Sequence, residues 1–259
     1  MKVTVHEKSE KKINFTLQGV SSAYSNTLRR LMIGEVPTMA IEDVVINKND
    51  SVLYDEIIAH RLGLIVLKTD LKSYNMQSVC KCKGVGCAQC QLKLTLSVEG
   101  PKTVYAEDIK STDPKVVPVY PKTVVVKLLE GQKLEIEATA VLGIGKEHSK
   151  WNPGLVWYYN EPKFTINNKH KDFEKFKDQY PTQVINAKGQ IDEKLINTPQ
   201  LIDACTGVNE EIVKVEHDKE SFVFTVESFG ALSAEEIVET AMEVYDGQIK
   251  SFEGLVKSV

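Results

Sequence analysis

Two periodicities divide this chain. Alternation of period two runs through Lys2–His6 and again through Ile13-Asn-Phe15-Thr-Leu17, with a charged turn at Glu7–Lys11, so the N-terminus reads as a β-hairpin. The pattern then switches to a helical period. Ser21 or Ser22 caps a helix running to Gly34, with Tyr24, Leu28, Leu31 and Met32 on its apolar face, and Pro37 prevents its continuation. Arg29 and Arg30 fall late in that helix, where positive charge suits the dipole. Strand character returns at Met39–Asn47. A short helix at Asp55–Leu62 runs into apolar Gly63–Leu67, and Leu92, Leu94, Leu96 and Val98 alternate clearly as a strand. Two more strands, Thr123–Leu129 and Leu134–Leu142, flank a turn at Glu130-Gly131.

Beyond Leu142 the chain enters a loop, Gly143-Ile-Gly-Lys-Glu-His-Ser-Lys-Trp-Asn-Pro-Gly154. Its Gly-x-Gly lacks the third glycine and the helix start of a dinucleotide fingerprint, which excludes a phosphate cradle. Val156–Tyr159 returns to strand. Residues 162–219 are polar and nearly charge-balanced, with short strand-like pieces and one expected helix at His170–Gln179; they read as a separable small domain or insertion. Phe222-Val-Phe224-Thr-Val226 alternates as a strand, and Ser233-Ala-Glu-Glu236 is a capping box that opens a last helix. In that helix Val238, Met242, Tyr245, Ile249, Phe252 and Val256 recur at spacings of four and three, a narrow apolar seam. Gly247 and Gly254 weaken the helix by about 1 kcal/mol each relative to Ala. It therefore depends on packing, either on the chain's own core or on a partner subunit. The fold class is α+β, with a mostly β middle.

Composition narrows the setting. The 259 residues are 42% hydrophobic and 26% charged, enough to bury a core and to divide into more than one domain. A net charge of -4 and a pI near 5.8 exclude a strongly basic protein that coats nucleic acid by itself. No signal-peptide run and no membrane span is expected. With clustered, reduced cysteines, the reading is a soluble cytoplasmic protein.

Four of the five cysteines fall within Cys80-Lys-Cys82-Lys-Gly-Val-Gly-Cys87-Ala-Gln-Cys90. Four thiolates on one short loop suit a closed tetrahedral site, the usual form of one structural zinc. Cys-x-x-Cys presents two sulfurs from one turn; Cys-x-Cys places two on one face of an extended segment. Gly84 and Gly86 supply the backbone freedom that the link between the pairs needs. Two disulfides, four inert thiols or an iron–sulfur cluster are the alternatives, and the last is disfavoured because the spacing is unlike the ferredoxin run. Lys81, Lys83 and Lys93 can offset part of the thiolate charge. A closed site leaves no open position for a substrate, so it is not read as catalytic.

Nothing else in the chain suggests catalysis. His6, His60, His148, His170 and His217 are scattered without ligand spacing, and His60 reads as a capping or packing residue. Cys205 reads as an ordinary buried thiol. There is no Walker loop and no paired-aspartate motif. By elimination the chain looks like a scaffold; a free-standing metal or redox protein is the rival reading.

Several stretches together carry a resemblance. Asn26-Thr-Leu-Arg-Arg30, Glu35-Val-Pro37, Asn49-Asp-Ser51, Asp55-Glu-Ile-Ile-Ala-His-Arg-Leu-Gly-Leu-Ile65 and Gly145-Lys-Glu-His-Ser-Lys-Trp151 resemble, in order and spacing, the alpha-like subunit family of multisubunit RNA polymerases. Within that family the chain is most similar to the archaeal branch, equivalent to the third-largest subunit of eukaryotic polymerase II and to the bacterial alpha N-terminal domain. The resemblance covers nearly the whole chain and is weak at 162–219.

The resemblance implies a dimerisation domain built from 1–46 and 220–259. It also implies a β-rich insertion domain at 47–161 carrying the metal loop, and a small ferredoxin-like domain at 162–219. That last region holds only Cys205, so no iron–sulfur cluster is expected there. The first and last helices, through Tyr24, Leu28, Arg29, Arg30, Leu31, Val238, Met242, Tyr245, Ile249, Phe252 and Val256, are implied to form the interface with the small alpha-like subunit L. Subunits N and P and the second-largest subunit are the further implied partners, with Arg29, Arg30 and the Asp55–Ile65 helix facing the large subunits. DNA is reached only through the complex.

Overall fold

A computed structural model describes residues 1–258. The hairpin forms as the alternation predicts, from β1 (Lys2–Lys8) and β2 (Lys12–Gln18). Its turn is tighter than expected. The Ser9 amide donates to the Lys12 carbonyl at 2.7 Å, and the Lys12 amide donates back to the Ser9 hydroxyl at 3.0 Å. Strand β2 buries Ile13, Phe15 and Leu17, whereas every residue of β1 is exposed. Strand β1 is a sheet edge, and its Lys, His and Glu side chains discourage pairing with another chain.

Helix α1 (Ser22–Gly34) leads into β3 (Pro37–Asn49), and α2 (Asp55–Gly63) follows. Next come β4 (Leu92–Glu99), β5 (Lys102–Tyr105), β6 (Lys110–Ser111), β7 (Val124–Leu128) and β8 (Lys133–Ile144). Strands β3, β8, β4 and β6 make one sheet in that order, and β5 pairs with β7 in a second. The long β3–β8 ladder sets Met39 opposite Leu142 and Ile46 opposite Ile136, with irregularities at Ile41/Asp43 and Ile46/Lys48. In β4 the expected alternation holds residue by residue: Leu92, Leu94 and Leu96 are buried while Lys93, Thr95 and Ser97 face out. Helix α2 closes this core through Ile58 and Leu62. The short strands β5 and β6 leave no trace in the sequence pattern; too few residues alternate in them.

The remaining elements are β9 (Gly154–Ile166), α3 (Phe173–Phe176), α4 (Pro199–Cys205), β10 (Val213–Ser228) and α5 (Ala234–Lys257). The third sheet runs β1-β2-β10-β9. Its inner strand β10 buries Phe222, Val223, Phe224, Thr225 and Val226 in succession, so both of its faces are covered. Phe224 stacks on Phe15 at 5.2 Å, and Tyr158 packs against Phe222 and Phe224.

Between β9 and β10 the expected helix His170–Gln179 is corrected. Only one α-turn forms at Phe173–Phe176, followed by a 3₁₀ turn at Lys177–Gln179. Asn167 and His170 hold the upstream backbone in turns, and Tyr180 precedes Pro181, which disfavours helical geometry. Helix α4 is an addition to the expected elements, although Thr198 capping the Leu201 amide with Pro199 next is a legible start signal. The strand-like pieces fall at the end of β9 and the start of β10, and between those strands a single bridge, Ile185–Ile191, forms among the described residues. The region owns a small core of Phe173, Tyr180, Val184, Ile191, Ile202 and Ile212.

Two compact units emerge. One comprises Met1–Thr4, Phe15–Ser25 and Tyr158–Phe224; the other comprises Val5–Asn14, Asn26–Trp157 and Thr225 onward.

Candidate metal centre and partner surface

The cysteine loop begins after a 3₁₀ turn at Gln77–Val79 and is closed at its base by the Asn75 amide donating to the Gln89 carbonyl at 2.8 Å. Two tight turns then present the sulfurs. The amides of Lys83 and Val85 donate to the carbonyls of Cys80 and Cys82, and those of Cys90 and Gln91 both donate to Cys87. Gly84 and Gly86 adopt φ of 83° and 97°, the left-handed region expected of the link, and Lys83 joins them at 55°.

The four Sγ atoms lie within 4.8 Å of one another. Cys80–Cys87, Cys82–Cys90 and Cys87–Cys90 are separated by 3.6, 3.5 and 3.8 Å. A tetrahedral ion with sulfur ligands at about 2.3 Å would set them about 3.8 Å apart. A disulfide would bring a pair to about 2.05 Å, and all five cysteines are free. The group can therefore hold a metal ion such as zinc. Among the described residues it is the only cluster of this kind.

Left to themselves, Cys80, Cys82 and Cys90 are poorly matched to one another. The Gly86 amide, with further donors, lowers Cys82 to about 6, while burial pushes Cys90 up to about 12. The Cys82 amide lowers Cys80, but burial and the neighbouring thiols outweigh it and the net shift is upward. Four thiolates crowd too closely to ionise together; a divalent cation removes that conflict. Lys93 donates to the Thr139 hydroxyl at 2.7 Å on β8, leaving Lys81 and Lys83 as the exposed cations of the loop. Cys205 lies apart, fully buried, its thiol raised by desolvation. His60, expected to cap or pack, is exposed at the end of α2.

The two helices assigned to a partner behave differently from each other. In α1, Leu28, Leu31 and Met32 are buried in the chain's own core. Leu28 and Leu31, expected at the partner interface, thus offer little surface in the free chain. Tyr24 is half-buried and Arg30 exposed, while Arg29 lies against the Asn26 side-chain oxygen through Nε and one terminal nitrogen at 3.3 and 3.0 Å.

Helix α5 starts at the expected capping box: the Ser233 amide donates to the Glu236 carboxylate at 2.8 Å, and the Glu236 amide donates to the Ser233 hydroxyl at 3.2 Å. It docks through Ala234, Ile237 and Ala241. Sequence reasoning misses these because two of them are small. Val238 and Tyr245 are half-buried, and beyond Tyr245 the helix is exposed all round. Ile249, Phe252 and Val256 are 48, 69 and 58% exposed, and Leu255, which the seam omits, joins them.

Comparison with known sequences decides the family. A protein of Methanosarcina acetivorans described as DNA-directed RNA polymerase subunit Rpo3 is 41% identical over 96% of this chain and 95% of its own length. Rpo3 proteins of Pyrococcus horikoshii and Archaeoglobus fulgidus are 38 and 36% identical, covering 94 and 99% of this chain and 93 and 98% of their own. The chain belongs to the Rpo3 family of DNA-directed RNA polymerase subunits. The RNA polymerase Rpb3/RpoA insert domain matches residues 40–155, the stretch that contains α2 and the cysteine loop.

Three of the stretches that carried the resemblance, 26–30, 35–37 and 145–151, meet at one place in this chain. A cleft of about 420 Å³ is lined by Arg29, Arg30 and Gly34 of α1, by Gly145 and Lys146, and by Gln248 of α5. The Lys146 amide donates to the Gly34 carbonyl at 3.0 Å, and its ammonium pairs with Glu35 at 3.5 Å. The two glycines that failed as a phosphate cradle have a packing purpose. A Cβ on Gly143 would come within 2.3 Å of the Trp151 indole, and one on Gly145 within 2.3 Å of the Ile33 carbonyl oxygen. The indole N–H donates to Val141 at 3.3 Å, and the Trp151 carbonyl accepts from Thr38 at 2.7 Å, locking this loop onto β3 and β8. No helix among the described residues is long and apolar enough to cross a membrane.

Proposed function

We propose that this chain is a non-catalytic assembly subunit of a cytoplasmic RNA polymerase, pairing with the small alpha-like subunit L and then gathering subunits N and P and the second-largest subunit. In this reading residues 1–46 and 220–259 form the dimerisation domain, 47–161 the insertion domain and 162–219 a third domain. DNA is met only through the assembled enzyme. The observation that carries the reading is the outer half of α5. Ile249, Phe252 and Val256 repeat at helical spacing on a fully exposed stretch that also contains Gly247 and Gly254. A helix exposed all round gains little from its own chain, and an apolar ridge on it is stabilised by another subunit. Tyr24, Arg29 and Arg30 of α1 and Val238, Met242 and Tyr245 of α5 are the further contacts.

Co-expression with subunit L tests this directly. The native chain should co-elute with L on gel filtration, and Phe252→Asp should abolish co-elution while leaving the circular dichroism of the chain nearly unchanged. Co-elution of the Asp variant at native affinity would remove the outer half of α5 from the interface.

In the same reading Cys80, Cys82, Cys87 and Cys90 hold one structural zinc. The near-tetrahedral sulfur spacing supports a single ion. The zinc would fix the loop and supply no chemistry to nucleotide transfer.

A further inference from the structure

The cysteine loop carries more than its ligands. Val85 is 87% exposed and Val79 76%, and no large apolar residue of the described chain is more exposed than Val85. Neither is a loose tail: the Val85 amide is tied to Cys82, and the Val79 amide to Met76 at 3.2 Å. Val85 stands between two left-handed glycines at the apex of a turn. Lys81 and Lys83, the exposed lysines between the valines, enter no ion pair among the described residues. No Asp or Glu occurs between Asp70 and Glu99, although the chain as a whole is acidic.

We propose that the tip of the cysteine loop is a preorganised docking knob for an acidic, apolar-containing segment of a protein partner. Two valines held on a closed loop lose little freedom on binding, and two unpaired lysines steer and align carboxylates. A nucleic-acid partner is a poorer match. The tip offers two free cations, no arginine and no aromatic ring on which a base could stack. The proposal relies on the metal reading only for the rigidity of the loop.

The test uses the zinc-loaded full chain and a short fluorescein-labelled peptide alternating Asp with Leu. Controls are the same peptide with Lys in place of Asp and a single-stranded oligothymidylate. Anisotropy should show saturable binding of the acidic peptide alone. Val85→Ser and the double variant Lys81→Glu/Lys83→Glu should each weaken it by about tenfold or more. Absence of saturable binding, unchanged affinity in both variants, or preference for the oligonucleotide would overturn the knob. Zinc content measured on the same samples keeps the two readings apart: metal-free chain that binds the peptide at full affinity would refute the clamp while leaving the knob standing.

Discussion

Gly143 shows how much one absent methyl group can hold. Its Cα lies under the Trp151 indole, so Gly143→Ala forces a Cβ into the ring and must shift either the tryptophan or β8. We expect a loss of about 1–3 kcal/mol, read as a lower urea midpoint with an unchanged m-value. Asp70 makes a different kind of contribution. The Lys115 ammonium at 3.0 Å and the Ser73 hydroxyl hold its carboxyl at about 2, below the usual range. A depressed carboxylate stabilises the fold above its unfolded pKa of about 3.9, and that contribution fades as pH falls from about 4 to about 2. Lys115 is well exposed, so screening keeps the effect under about 1 kcal/mol. Urea titrations should show Asp70→Asn flattening this acid limb. The four cysteines act together: Cys87→Ser/Cys90→Ser should take bound zinc from one equivalent to none by elemental analysis and loosen the loop, with co-elution with subunit L retained.

The elements were legible where burial is one-sided. Strand β4 announced itself because one face packs on α2 and its neighbours while the other meets water, so polarity records geometry position by position. Strand β10 announced only its apolar half. Covered on both faces, Phe222–Val226 is buried at every position rather than at the alternate ones its pattern suggested, and its polar start at Val213 looked like part of the insertion. Helix α5 was visible as a helix, yet the residues that dock it on its own chain were not. Ala234 and Ala241 pack because they are small, and smallness leaves no mark on a hydrophobic pattern. Helices α3 and α4 are too short for a period to establish itself, and there only caps and prolines speak. The grouping of the four cysteines was legible, because their spacing is local; the Gly143–Trp151 lock was not, because its two halves make sense only once β8 and the following loop are folded.

For the molecule as a whole, the sheet orders β1-β2-β10-β9 and β3-β8-β4-β6 join segments far apart in sequence, and no local pattern encodes such pairings. One consequence concerns the chain before it is assembled. Helix α5 is anchored at its capped start by Ala234, Ile237 and Ala241 and has no comparable hold beyond Tyr245. Its far half can open without disturbing the core, so its stability in the free chain is local and low. Limited proteolysis of the free chain should cut first between residues 246 and 258, and addition of subunit L should slow that cut without changing cleavage elsewhere. Equal cutting with and without the partner would contradict it. On the proposed pairing, an orphan copy would carry a visible flag: the apolar ridge of α5 would be, while unclaimed, the segment a protease reaches first, and supply of one subunit would set the lifetime of the other.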